Sequence, residues 1–418
     1  MARATISDEP VSGRNPALLV LSLTAATLTT TEILPGSMMP LMAEGLDTSE
    51  GMIGQAVTAS AIVAIVTSLS IGKIVGNRDR RKVIIALISA LVLSNVGMAL
   101  APNVWVMLAS RLLLGAAVGI VWGLIPAIVL RLSPQGMFAK GFATVIVGGS
   151  IAGVIAAPLA AFAGDAIGWR WVFAGSAVLA TCALAALISI FPSVPARPGA
   201  LKRDLANTLR LPGLIAGMIG VMLLFGGAQV FFGYLVPFLE RVTGLDAAEV
   251  SLVLLLFGLS GLAGTLAAPK IIGVGIRFAL VLAPAMLATL VALLLVMGHL
   301  FLPAVLLLMM WAFGRPLIGV TSNAWVAHNF AENAESASGI LVAVIQASMM
   351  LGAILGGVLI DNAGAKAPAV AATLILGFGA FYVYLAMKPR TTLDDPDNDD
   401  LPRDSQAAPV DGLATQVD

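Results

Sequence analysis

The stretch ALLVLSLTAATLTTTEILPGSMMPLM, residues 17–42, decides the fold. It is long and apolar enough to cross a bilayer as a helix. One carboxylate, Glu32, interrupts it. At a 1.5 Å rise per residue, Glu32 lies about 18 Å from Glu44 at the end of the run. A charge at that depth costs roughly 2.5–3.5 kcal/mol on insertion scales, so a chain that keeps one uses it or pairs it. Pro35 follows three residues later. It has no amide hydrogen for the Thr31 carbonyl, so a helix bend is expected beside Glu32, with that carbonyl left free. Pro40 does the same to Gly36. A charged residue beside a broken helix at membrane depth is the pattern of a transport site.

The rest of the chain repeats the first part of that pattern. Of the 418 residues, 59% are hydrophobic and 11% charged, with a mean hydropathy of +0.99. That composition excludes a soluble domain of this length. Apolar runs of spanning length fall near 16–42, 51–75, 82–100, 104–131, 138–164, 169–191, 212–239, 248–272, 277–298, 301–328, 337–360 and 367–388. They are continuous rather than alternating, which selects helices over a barrel.

The 23 Lys and Arg residues sort by side. Arg170, Arg241 and Lys366 fall in one set of connections, and Arg111 and Arg315 lie inside runs. All the others fall in the opposite set or the two ends. The positive-inside rule then puts both termini in the cytoplasm of a multi-pass protein, expected in a bacterial inner membrane. The leader before the first run carries Asp8 and Glu9, and the run itself is too long for a signal h-region. Cys182 is the one cysteine and His299 and His328 are far apart, so no disulfide, metal cluster or enzyme constellation is expected. No Gly-x-x-x-x-Gly-Lys-Ser/Thr stretch supports ATP-driven pumping.

The sequence also repeats internally. Gly45-Leu46-Asp47-Thr48-Ser49-Glu50 matches Gly244-Leu245-Asp246-Ala247-Ala248-Glu249, with each Asp expected to cap the following helix. Gly149, Gly153 and Ala157 match Ser348, Gly352 and Gly356, small residues four apart that permit close helix contact. Asp165-x-x-Gly168 matches Asp361-x-x-Gly364. These matches divide the chain into a leader (1–15), a six-helix half (16–191), a Pro- and Lys/Arg-bearing linker (192–211), a second six-helix half (212–388) and an acidic tail (389–418) expected to be solvated.

Four stretches carry a family resemblance. They are GKIVGNRDRRKV (72–83), Met107-x-x-x-Arg111-x-x-x-Gly115, Gly153-x-x-x-Ala157-Pro158 with Gly168-Trp169-Arg170, and TEILPGSMMPLMAEGL from residue 31. They resemble the loop signature, the fourth-helix motif, the antiporter motif and the first helix of the drug:proton antiporter branch of the major facilitator superfamily, arabinose-efflux-permease-like members in particular. Departures are Gly76 where the loop signature has Asp, Leu114 before the fourth-helix Gly, and Ala157 and Ala161 where the antiporter motif has Gly.

The resemblance implies an all-α membrane protein with twelve transmembrane helices in two six-helix pseudo-symmetric halves, the major facilitator fold. It also implies that helices one, four, seven and ten face a central cavity. Candidate proton-coupling residues are then Glu32, Arg315 and Arg111. Arg315, as deep as Glu32 and followed by the helix-breaking Pro316, is the favoured partner and Arg111 its rival. Candidate substrate contacts are Thr31, Trp122, Gln229, Tyr234, Trp311, Asn323 and Gln346. The tryptophans also read as packing or interface aromatics, and Gln229 and Asn323 as bridges between helices. Candidate gating residues are Arg78, Asp79, Arg80, Arg81, Gly153 and Pro158.

The function implied is a secondary active transporter working by alternating access. The leading form is a proton-coupled antiporter exporting a small neutral or amphipathic molecule such as a sugar, nucleoside or drug. The alternatives are a proton-coupled importer and a non-transporting membrane sensor. Its expected partners are that small molecule, protons and the lipid bilayer. No nucleic acid, cofactor or metal is expected, and the chain is read as a monomer.

Overall fold

The computed structural model describes residues 14–134, 137–195, 205–273 and 275–386. The leader up to residue 13, the linker stretch 196–204 and the acidic tail from 387 lie outside the described residues.

Twelve helices are long and apolar enough to cross a membrane. They are α1 Arg14–Ser37, α2 Glu50–Leu69, α3 Arg80–Ala99, α4 Val104–Leu132, α5 Phe138–Ile167 and α6 Trp169–Ile190 in the first half. The second half holds α7 Leu214–Phe232, α8 Ala247–Ile272, α9 Ile276–Met297, α10 Phe301–Asn329, α11 Ala334–Ala363 and α12 Ala367–Ala386. Short helices, such as Met39–Gly45 and Leu235–Phe238, extend some of them. The sequence runs match these helices to within a few residues, except where a run is split.

The splits follow local chemistry. α1 continues through Pro35 and stops at Ser37, and Pro40 enters the next short helix at its first turn, where a missing amide costs nothing. Pro316, expected to break α10, instead sits inside a continuous helix. The chain caps also differ between the repeats. Asp246 accepts from the Glu249 amide at 2.8 Å, and the Glu249 carboxylate accepts from the Asp246 amide at 3.0 Å, a complete capping box. In the first copy Ser49, not Asp47, is the cap, accepting from Met52 at 3.2 Å, while Asp47 adopts a positive φ of 48°. Gly168 and Gly364, which close the two D-x-x-G matches, end α5 and α11 at φ +90° and +84°.

Packing repeats with a shift of six helices. α1 packs on α5 and α7 on α11; α2 on α4 and α8 on α10; α3 on α6 and α9 on α12. The halves join through α2 and α4 against α11, and α5 against α8. The joining contacts are close. Gly339 of α11 lies against the Ser68 carbonyl and Ile71, Gly123 of α4 lies against Gly339, and Gly258 of α8 lies against Val154 of α5. Ser150 and Thr265 share a hydrogen bond of 3.2 Å across the same seam. The Gly339, Gly123 and Ser150–Thr265 contacts lie between mid-depth and the end of the bundle that carries the basic connections, and Gly258–Val154 lies at about mid-depth. That end is therefore closed in this conformation.

Candidate functional site

Pro35 leaves the Thr31 carbonyl without a helical donor, and the structure shows what takes it. Arg111 of α4 donates from Nη1 to that oxygen at 2.9 Å. Arg111 is 1% exposed and its guanidinium lies 5.9 Å from the centre of the Phe173 ring on α6. Its Nε and Nη2 have no hydrogen-bond partner. A buried guanidinium cannot shed its proton and needs acceptors, so two free donors at this depth are costly unless something negative or polar comes to them.

Glu32, the next residue after Thr31, supplies the charge. Of the cations in the described residues, Arg111 is the one whose field reaches Glu32, and Glu32 is the acid whose field reaches Arg111. The two do not form a direct ion pair in this conformation. Arg315, the partner favoured by depth counting, is placed elsewhere. Its guanidinium rests 4.2 Å from the centre of the Phe232 ring on α7, with no carboxylate acting on it. Counting residues from the helix ends gave the depth but not the azimuth around the bundle, and azimuth chose Arg111.

The wall behind this pair is polar and tightly held. Thr31 is 0% exposed. Its Oγ1 donates to the Thr27 carbonyl at 2.9 Å, receives Asn95 Nδ2 at 3.2 Å and lies 3.2 Å from Ser176 Oγ. Thr31 therefore ties α1 to α3 and α6, and its buried hydroxyl is spent on these contacts. Asn95 and Ser176 were not singled out from the sequence. Both are polar residues in apolar runs, which was the available signal.

The other candidates divide. Trp311 is 0% exposed and packs against Phe231 and Phe257 with centroids 5.4 and 5.8 Å away, inside the core of the second half. Tyr234 donates to the Ala353 carbonyl at 2.7 Å, and Gln229 lies against Gly352, so both fasten α7 to α11. Asn323 donates to the Gly319 carbonyl of its own helix at 2.9 Å. It shares a partly exposed strip of α10 with Arg315 and Gly319. Trp122 packs near Gly149 and Gln346 is partly exposed on α11.

The basic loop is built around one cross-half ion pair. Arg80, 1% exposed, donates through Nε to Glu335 Oε1 at 2.7 Å and through Nη2 to Oε2, a bidentate pair to the start of α11. Its Nη1 donates to the Arg78 carbonyl at 2.6 Å. Glu335 was missed because the sequence reading weighed basic residues in the connections and not the acids facing them. Arg81 turns the other way and donates to the Ile188 carbonyl of α6, within its own half. Asp79 caps α3, accepting from the Arg81 amide at 2.9 Å, the Val194 amide at 2.9 Å and the Ser193 hydroxyl at 2.5 Å. Burial pushes its carboxyl up, but these donors and nearby Lys82 outweigh that and hold it below the ordinary 3.8. A depressed value adds stability above the ordinary carboxylate range, lost only as pH falls through the lower folded value. This anchor stays ionised across neutral pH. Of the remaining gating candidates, a side chain at Gly153 would meet nothing within 4 Å, and Pro158 lies on an exposed face of α5.

Known proteins resemble most of the chain. The chain is 36% identical over 393 residues to the transcription regulatory protein OpdE of Pseudomonas aeruginosa, covering 92% of this chain and 97% of that one. It is 35% identical over 352 residues to the purine ribonucleoside efflux pump NepI of Salmonella paratyphi B, covering 84% and 89%. The human organic anion transporter MFSD10 has the same fold, with a TM-score of 0.72 at 17% identity, over 90% of this chain and 100% of that one. The profile of the Major Facilitator Superfamily matches residues 21–348. With twelve apolar helices in two like halves and these relatives, this chain is a membrane transporter that belongs to the Major Facilitator Superfamily.

Proposed function

We propose that the protein is a proton-coupled antiporter that exports a small neutral molecule of the purine nucleoside class. The observation that carries the coupling is the Glu32–Arg111 arrangement. A carboxylate beside a clamped arginine with free donors has two natural states. Deprotonated, it accepts hydrogen bonds from hydroxyl and N–H groups of a neutral substrate held beside Arg111; protonated, it loses that acceptor strength and the substrate leaves, so proton and substrate exclude one another. Two states with different proton and substrate affinity are what coupling requires.

The orientation that fits the basic connections puts the closed end and both termini in the cytoplasm of a bacterial inner membrane. In this conformation the cytoplasmic end is shut, as at the stage where an exporter releases substrate to the outside and takes up a proton. The protein works as a monomer, with no nucleic-acid partner. The substrate class rests on likeness to the Salmonella pump, whose name specifies purine ribonucleosides. The regulatory name of the Pseudomonas relative suits a sensor, but a sensor has no use for a charge pair at membrane depth.

Everted membrane vesicles test this reading. With the lumen made acidic, labelled inosine or guanosine should accumulate, and a protonophore should release it. Accumulation only under the reversed gradient would make the protein an importer. Failure to carry any purine nucleoside under either gradient would remove the substrate assignment.

A further inference from the structure

A crevice of about 540 Å³ lies away from Glu32 and Arg111, on the flank of the first half where the short helix Ile71–Val75, α3 and α4 meet. Its polarity is graded along the bundle axis. At the basic end its rim holds Asn77, Arg78 and Lys82. Deeper, the wall is Val83, Ala86 and Leu87 of α3, and its floor is Ile120 of α4. Ile120 lies twelve residues before the end of α4, about 18 Å below that end. Ala86 and Ile74 are exposed on this flank, which in a spanning bundle means exposed to lipid.

Both rim cations are exposed, and Lys82 also lies near Asp79. Arg78 spends one donor on the Ile74 carbonyl of its own turn and keeps the rest. Lys82 is exposed at the first turn of α3. The acid on the rim, Asp79, has both oxygens turned to Ser193, Val194 and Arg81. The crevice thus offers two cations at the level of the bilayer surface and an apolar slot running below them.

We propose that this crevice binds an anionic phospholipid, with its phosphate at Arg78 and Lys82 and one acyl chain along Ala86, Leu87 and Ile120. A free phosphate would use the rim and leave the slot empty. A neutral detergent or lipid would use the slot and gain nothing from the cations. Only an amphiphile with a negative head matches both. Arg80, between the two rim cations in sequence, turns inward to Glu335, so the bound lipid packs behind the loop that closes the basic end.

The test is native mass spectrometry of the purified protein with phosphatidylglycerol, phosphatidylethanolamine or phosphatidylcholine. The parent should retain phosphatidylglycerol preferentially, and free glycerol phosphate should not displace it. Replacing Arg78→Gln and Lys82→Gln together should weaken retention roughly thirtyfold, from about 1 kcal/mol for each basic residue at the surface. Ala86→Phe fills the slot without changing charge and should also abolish retention. Arg241→Gln, at the opposite end of the bundle, should leave it intact. Equal retention of all three lipids, displacement by glycerol phosphate, or unchanged retention in the double variant or in Ala86→Phe would overturn the proposal.

Discussion

Pro35 has no amide hydrogen, so the Thr31 carbonyl, four residues back, is offered to another helix. Arg111 takes it at 2.9 Å and is thereby held next to Glu32. Pro35→Ala returns an amide to that carbonyl while leaving both charges in place. The helix should be as stable or more so, because alanine is the better helix former. Transport should slow by roughly tenfold, since a hydrogen bond to a charged group contributes about 1.5 kcal/mol or more. Transport rate and thermal stability measured together check this; an unchanged rate would show that the clamp on Thr31 is idle. Glu32, Pro35 and Arg111 were each legible in the sequence as an acid, a breaker and a cation at membrane depth. Which cation faces Glu32 was not legible, because helix rotation is set by packing that no single run contains.

α5 and α11 show the same limit at the scale of the element. Both carry small residues four apart, and both were expected to make close contacts along that stripe. On α11 the expectation holds, because Gly352 meets the Gly226 carbonyl and Gly356 meets Tyr234 of the neighbouring chain segment. On α5 Gly149 of the stripe meets Thr29 of α1, its neighbour Gly148 meets the Ser22 carbonyl more closely still, and Gly153 of the stripe faces open space. Spacing fixes that a smooth stripe exists but not which residue of it touches. Gly148→Ala should therefore push α1 from α5 and cost about 1–3 kcal/mol, read as a lowered melting temperature. Gly153→Ala should be neutral or slightly stabilising. Equal effects of the two substitutions would contradict the packing of α1 on α5.

Across the whole molecule, one bidentate pair between Arg80 and Glu335 joins the basic loop of one half to the start of α11 in the other. Removing one partner of a pair with a buried arginine leaves that charge uncompensated and should favour the form in which the halves part at this end. Spin labels on Lys140→Cys and Lys270→Cys, in a Cys182→Ala background, report that parting. Adding Glu335→Gln should increase the long-distance population; an unchanged distance distribution would reduce the pair to a surface contact. Arg81, another of the gating candidates, stays within its own half through Ile188. The twelve helices, their order and their division into like halves were legible, since length, hydropathy and repeated motifs are local. The seam between the halves was not, because it pairs residues 255 apart in the chain.

Glu32 carries the central claim, and Glu32→Gln in proteoliposomes tests it most directly. The substitution keeps the shape of the side chain and removes its proton exchange. The variant should still exchange labelled substrate for unlabelled across the membrane. It should no longer concentrate substrate when a pH gradient is imposed. If it concentrates substrate as well as the parent does, Glu32 is not the residue through which protons drive transport.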